Sequence, residues 1–372
     1  MKSQKLAIID PIGSKAGLDS YNTDLLNALW DEGIEGLLYS DCHWLEHAEN
    51  SFPFFSDSIG HSFSEILLRP LRIVKVFRHV RSMHCNSVLF HVFHFNKMDE
   101  WMIRKAKAFG LRVIIIVHDI ESFIQKTSKL RLKIICEQLA DILVVQNEFT
   151  SGELKQIISE EASARIRVIP HGHFLSLNVA GPDKKQCRAM LQLDPDKPIV
   201  LFFGMIKPTK GLDLLLHAWK DVQTDATLVV AGKLRKLSFD SFQRIISNEL
   251  QKQDLRMMIR KISNTERDLL FRAADLIVLP YTRIYQSGVL LMAMSYKLPV
   301  IATRLRAFEE VIKNENNGIL VDVGNTGLLA QAIDKLCVDA DLRKRLSEAG
   351  LETVKVHHDW SQIASLYKTF LT

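Results

Sequence analysis

Two short segments hold the groups from which an anion site can be built. The first, FFGMIKPTKGLDLLLHAW (202–219), is a strand pattern, then Gly204, a loop with Lys207 and Lys210, then Gly211 and an amphipathic helical pattern. Gly204 lets a ligand approach the backbone, and two ammonium groups at the mouth of the turn suit a diphosphate. Two lysines in a loop are equally compatible with solvated surface. The second, YTRIYQSGVLLMAMSYKLPVIAT (281–303), places Gln286 and Ser287 in a turn before an uncharged helical pattern that starts at Gly288. The N–H groups of Ser287, Gly288 and Val289 would stand at a free helix N-terminus, where partial positive charge favours an anion. A plain connection with Ser287 as its cap accounts for the same residues.

His118, followed by Asp119, closes the apolar run RVIIIVHD (112–119). A histidine there can orient a ligand or move a proton, although a lone histidine at a strand end more often makes a structural hydrogen bond. His91, His94, His171 and His173 are weaker candidates of the same kind. Asp194 and Asp196 flank Pro195 in turn-like sequence and read as a turn, so no metal is expected.

These residues sit in a chain that alternates short β-branched runs with longer helical patterns, the mark of parallel βαβ units. The strands of the first half are expected at 5–10, 36–40, 87–93, 112–119, 141–147 and 165–170. After Pro170 comes turn-rich sequence, and the alternation restarts at 198–204, 227–233, 257–262, 276–281, 299–303 and 318–322. The reading is α/β, two doubly wound domains: 1–175, 176–355, and a last helix in 356–372 expected to pack back on the first domain. Two such domains favour a ligand in a cleft that they face, at the carboxyl edges of the strands.

With 372 residues, 47% hydrophobic and 24% charged, the composition is that of a folded globular protein. Its longest apolar runs are far below the roughly 18 residues of a spanning helix. The first apolar run meets Asp10 at once, which suits a strand better than a leader and points to a cytoplasmic location. Cys42, Cys85, Cys136, Cys187 and Cys337 lack CxxC spacing and are expected as reduced thiols. Charge is uneven: residues 51–133 hold 14 Lys or Arg against 6 Asp or Glu. Within that region Ile73, Val76, Phe77 and Val80 fall on one helical face, with Arg72, Lys75 and Arg78 opposite. Such a helix fits an anionic bilayer at the inner face of the cytoplasmic membrane, a lipid diphosphate, or an ordinary protein surface. Lys126, Lys129, Arg131 and Lys133 add to it. Nucleic acid is not expected, because stacking aromatics are not interleaved with the cations.

Taken together, the motifs resemble the GT-B glycosyltransferases, in particular family 4 (group 1). The carriers are FFGMIKPTKGLDLLLHA, LVVAGK, ERDLLFRAADLIVLPY, SGVLLMAMSYKLPVIAT and EEVIKNENNGILVDVGN, over about 200 residues. The resemblance implies two Rossmann-like domains, the first for the acceptor and the second for a nucleotide sugar, UDP- or GDP-linked. It implies a retaining, metal-independent hexosyltransferase with no cofactor, acting on a saccharide or polyprenyl-diphosphate-linked acceptor in surface polysaccharide biosynthesis. By position, Lys210 and Lys207 bind the diphosphate, the amides at 287–289 cap it, and the nucleoside lies along 257–263, which includes Ile262. His118 matches a histidine near the donor sugar, and Gly13 and Gly17 match close-approach points of a loop facing the cleft. The family's paired glutamates fall on Ile284 and Met292, its arginine after the strand glycine on Met205, and another frequent glutamate on Glu310. Two alternatives stay open: a non-catalytic relative that binds a nucleotide sugar or a partner, and a nucleotide-sugar epimerase on the same fold.

Overall fold

The computed structural model describes residues 4–11, 13, 18–41, 47–55, 63–121, 127–178, 180–251 and 253–371. It divides into two compact units, Met1–Gly172 with His358–Thr372, and His173–His357. In the first, β1 (Gln4–Ile9), β2 (Ile34–Tyr39), β3 (Ser51–Phe52), β4 (Ser87–Val92), β5 (Arg112–Val117), β6 (Ile142–Val145) and β7 (Ile166–Val168) pair in the order 3-2-1-4-5-6-7. In the second, β8 (Ile199–Phe203), β9 (Thr227–Ala231), β10 (Asp254–Met258), β11 (Leu276–Leu279), β12 (Val300–Thr303) and β13 (Ile319–Val321) run 10-9-8-11-12-13. Every ladder is parallel. Central strands such as β6 (ILVV) and β11 (LIVL) are buried throughout, as a sheet covered on both faces requires.

Two expectations about strands change. β3, two residues paired through Leu38 and Tyr39, is too short to leave an alternation in the sequence. The strand expected at 257–262 lies at Asp254–Met258, because its register with β9 begins at Thr227, whose hydroxyl donates to Asp254 (2.8 Å). β10 is an edge strand, and the apolar residues beyond Met258 belong to the loop that follows it.

The helix Phe63–Ser82 buries Ile73, Val76, Phe77 and Val80 completely in its own unit. These four side chains are therefore taken by the core, whereas Lys75 and Arg78 are exposed and Arg72 is half-buried. Among the described residues no helix is long and apolar enough to cross a membrane. Cys85, Cys136, Cys187 and Cys337 are free and buried; Cys42 and Lys126 lie outside the described residues.

The last helix, Trp360–Leu371, docks on the first, Leu18–Asp31, and places Trp360, Ile363, Ala364, Tyr367 and Phe370 in one core with Tyr21, Leu25 and Leu29. Trp360 packs edge-on to Tyr21 (5.1 Å), and a Cβ at Gly172 would meet the Trp360 ring at 2.1 Å. Lys368 and Ser365 bond Glu32 at 2.9 and 3.0 Å. Trp360→Ala is expected to destabilise the first unit by ~3–5 kcal/mol, through lost burial plus the cavity left behind. Hydrogen exchange checks this: amides of β1 and β5 should exchange faster, and those of β8 and β9 should keep their protection.

Candidate functional site

In the second sheet the chain steps outward from β8 to β10 and then returns to the other side of β8 as β11, so β8 and β11 meet at a topological switch point. The two segments singled out above leave the carboxyl ends of these two strands. Gly204 follows β8 with φ +116°, donates its N–H to Ala231 (3.0 Å), and faces Gly232 so closely that a Cβ there would meet the Gly204 carbonyl at 1.8 Å. Pro208–Lys210 then form a single 3-10 turn, and Gly211 takes the left-handed conformation that starts the helix Leu212–Trp219.

That turn is clamped to the segment after β11. A Cβ at Gly211 would meet the Pro280 carbonyl at 1.9 Å, and Thr282 N–H donates to Thr209 O (3.0 Å). The Lys210 ammonium lies 3.6 Å from the centroid of the Tyr281 ring, which is wholly buried. A cation over a ring face is held there electrostatically, and Lys210 is half-buried. Lys207 is half-buried beside it in the chain.

Ser287 is buried, with its hydroxyl accepting from Leu290 N–H (3.4 Å), and so caps the helix Gly288–Ser295. The N–H groups of Gly288 and Val289 precede the first intrahelical bond of that helix. Residues Leu290–Ser295 are all buried, and Ser295 binds Phe174 N–H (3.0 Å), so the core fixes the helix axis. The Val289 side chain lies 3.5 Å from where a Gly204 Cβ would be, bringing the helix start against the β8 turn. Half-buried Gln286 carries a buried Nε2 with no partner among the described residues.

The structure thus brings Gly204, Lys207, Lys210, Gln286, Ser287, Gly288 and Val289 to one sheet edge. Ile262 lies in the loop between β10 and the helix Asn264–Ala273, half-buried against the same core cluster as Ile284 and Val289. Ile284 and Met292 face that core, where a carboxylate would be desolvated. Glu310 is exposed at the end of the short helix Arg306–Glu309. Asp194 accepts from the N–H groups of Asp196 and Lys197 (2.8 and 3.0 Å), which lowers its pKa and makes it a turn residue.

The first unit has its own switch point, between β1 and β4. Polar residues gather at that edge: Asp10 after β1, His91 near the end of β4, His118 after β5, Gln146 after β6 and His171 beyond β7. Gly13 donates to Asp10 (2.8 Å), Asn22 Nδ2 donates to the other Asp10 oxygen (2.8 Å), His91 Nε2 lies 2.8 Å from Asn22 Oδ1, and His91 Nδ1 lies 2.8 Å from His118 Nε2. Gly13 has φ +53°, and a Cβ there would meet Asp41 Oδ1 at 1.5 Å, so the protein's own packing requires this glycine. Gly17 lies outside the described residues. Sequence reasoning missed Asp10, Asn22 and His91 as one network; the available signal was a polar residue standing first beyond an apolar strand.

Burial pulls the His91 pKa down to about 3 and that of His171 to about 4, and holds His118 well below its usual range. All three are neutral in the fold at pH 7.

Solved structures share this architecture across the whole chain. Sucrose-phosphate synthase from Thermosynechococcus elongatus superposes with a TM-score of 0.78 at 21% identity, covering 98% of each chain. Anabaena Alr3699/HepE in complex with UDP and glucose gives 0.78 at 17% identity and 99% of each. The fold is GT-B. Residues 183–353 match the family model of glycosyl transferases group 1. Curated relatives include the D-inositol 3-phosphate glycosyltransferase of Mycobacterium tuberculosis, 31% identical over 53% of this chain and 41% of the relative. The uncharacterized glycosyltransferase MJ1178 of Methanocaldococcus jannaschii is 30% identical over 45% of this chain and 46% of its own. The chain thus spans less than half the length of these relatives.

The three neutral histidines make stability depend on acid. The unfolded chain binds protons near pH 6.5 that the folded chain binds only well below it, near 3 at His91 and 4 at His171, so stability present above 6.5 is lost as the pH falls, at up to ~1.4 kcal/mol per pH unit for each histidine. Urea midpoints between pH 6.5 and 5 should fall steeply, and His171→Phe should reduce that slope by one histidine's share; an unchanged slope would contradict it.

Proposed function

We propose that this protein transfers a hexosyl group from a nucleoside-diphosphate sugar to a hydroxyl acceptor, and that the edge around Gly204 and Ser287 holds the diphosphate. The observation that carries the reading is the clamp: Lys210, fixed over Tyr281, and the start of the Gly288 helix converge at the β8 and β11 switch point. When the anomeric C–O bond breaks and a bond to the acceptor oxygen forms, negative charge grows on the departing diphosphate and the acceptor proton is released. Fixed cations and N–H dipoles stabilise that growing charge more than the ground state. Lys207 and Lys210 supply the cations, the amides of Gly288 and Val289 the dipoles, and the unpaired Gln286 Nε2 a further donor.

UDP is the first nucleotide to test, since the HepE neighbour was solved with UDP and glucose. Retention of configuration, independence of metal, and a ligand-contacting role for His118 and Gly13 at the edge of the first unit belong to the same proposal. So does an anionic acceptor, lipid-linked or saccharide, met by Arg72, Lys75 and Arg78, in surface polysaccharide biosynthesis. A second reading, a relative that binds without catalysis, is favoured by the apolar residues at 284 and 292.

Calorimetric titration with UDP, GDP and ADP decides between them. One nucleotide should bind, Lys210→Ala should weaken it at least ~10-fold, a loss of about 1.4 kcal/mol, and transfer should fail while the melting temperature stays within a few degrees. Tight binding without transfer to any acceptor supports the second reading; wild-type turnover in Lys210→Ala removes the role given to that lysine.

A further inference from the structure

We infer that Asp10, Asn22 and His91 are positioning residues that lock His118 in its Nε2–H tautomer and leave Nδ1 as a bare acceptor for a ligand's O–H or N–H group. The inference rests on which atoms can donate. The Asp10 carboxylate accepts Gly13 N–H on one oxygen and the Asn22 side chain on the other, each at 2.8 Å. Of the two ends of the Asn22 amide only the NH2 can serve a carboxylate, so its oxygen must face the other way, toward His91 Nε2 at 2.8 Å. An amide oxygen only accepts, so His91 Nε2 carries the proton.

The remaining links follow in turn. His91 is held neutral, so with Nε2 protonated its Nδ1 is a lone pair. His118 Nε2, 2.8 Å away, must then donate to it. Because His118 is neutral too, its Nδ1 has no proton, and it has no partner among the described residues. Phe93 stacks face to face on His118 (4.2 Å, 7° between planes), and the His118 backbone N–H bonds Val92 O (3.0 Å). A flipped ring would turn a C–H toward the His91 lone pair and lose that bond, which is costly in a desolvated site.

The consequence is a selective atom. A neutral ring nitrogen with a lone pair accepts from a hydroxyl and cannot donate to a phosphate oxygen or a carbonyl. This edge of the first unit is thus built to recognise a hydroxyl-bearing ligand, while the cationic edge of the second unit suits an anion. That the hydroxyl belongs to a transferred sugar rests on the function proposed above; the tautomer does not.

The test is long-range 1H–15N correlation on protein labelled at histidine, at pH 7. His118 should show a protonated Nε2 and a bare Nδ1, and His91 the same tautomer. Asn22→Leu should release both rings into a tautomer mixture, and His91→Phe, which keeps a ring in place, should do so for His118 if the first variant fails to fold. A proton on His118 Nδ1 in the wild type, or an unchanged His118 spectrum in both variants, overturns the lock. In transfer assays Asn22→Leu should raise the KM for donor sugar about 10-fold while the affinity for free UDP stays unchanged, since UDP lacks the hexosyl hydroxyls. Equal loss of both would assign Asn22 a general structural role. If no variant and no wild type transfers sugar, the functional reading fails while the spectra still decide the lock.

Discussion

Parallel pairing is the constraint on which everything else in this molecule rests. Because each strand runs the same way as its neighbours, every sheet gathers all its carboxyl ends on one edge. The strand interiors are apolar and covered on both faces, so polar side chains are excluded until a strand ends. They collect in the first residues beyond it: Asp10, His118 and Gln146 in one unit, Gly204 and its lysine loop in the other. Where the strand order reverses, adjacent connections leave in opposite directions and open a place for a ligand. The lysine loop and the Gly288 helix start at one of those reversals, and Asp10 and His91 lie at the other.

The two edges solve the problem of a buried polar group in opposite ways. In the second unit charge is retained. Lys210 rests on the Tyr281 face, and the Gly288 helix adds partial positive charge from its first amides. In the first unit charge is removed. Burial keeps His91, His118 and His171 neutral; the hydrogen bonds of His91 and His118 run back through Asn22 to one carboxylate, Asp10, whereas the His171 ring bonds the Gly172 carbonyl. Neutral rings act on their surroundings by the direction of their donors and acceptors, whereas a cation acts at a distance by its charge.

Close backbone approach links the pieces of the cationic edge. Gly211 lies against the Pro280 carbonyl, Gly232 against the Gly204 carbonyl, and Val289 against Gly204. The lysine loop, the connection after β11 and the helix start are consequently one packed body, positioned by a core that includes the apolar residues Ile284 and Met292. Packing of this kind holds the Lys210 cation and the first amides of the Gly288 helix in fixed positions.

Much of this was legible in the sequence for a simple reason. Strand runs, helix periodicity, glycines and loop lysines are local signals, and each is set by the residue's own backbone preferences and its neighbours in the chain. They identified the α/β alternation, the Ser287 cap and the loop of Lys207 and Lys210. The tertiary structure alone decided what depends on contacts between distant positions. β10 took its place from its register with β9 rather than from its apolar run. The clamp of Gly211 on Pro280 joins residues nearly seventy positions apart, and the link from Asp10 through Asn22 and His91 to His118 joins four different elements. Ile73, Val76, Phe77 and Val80 suited a bilayer as well as a core, since periodicity records that a face is apolar and not what covers it; the core covers them.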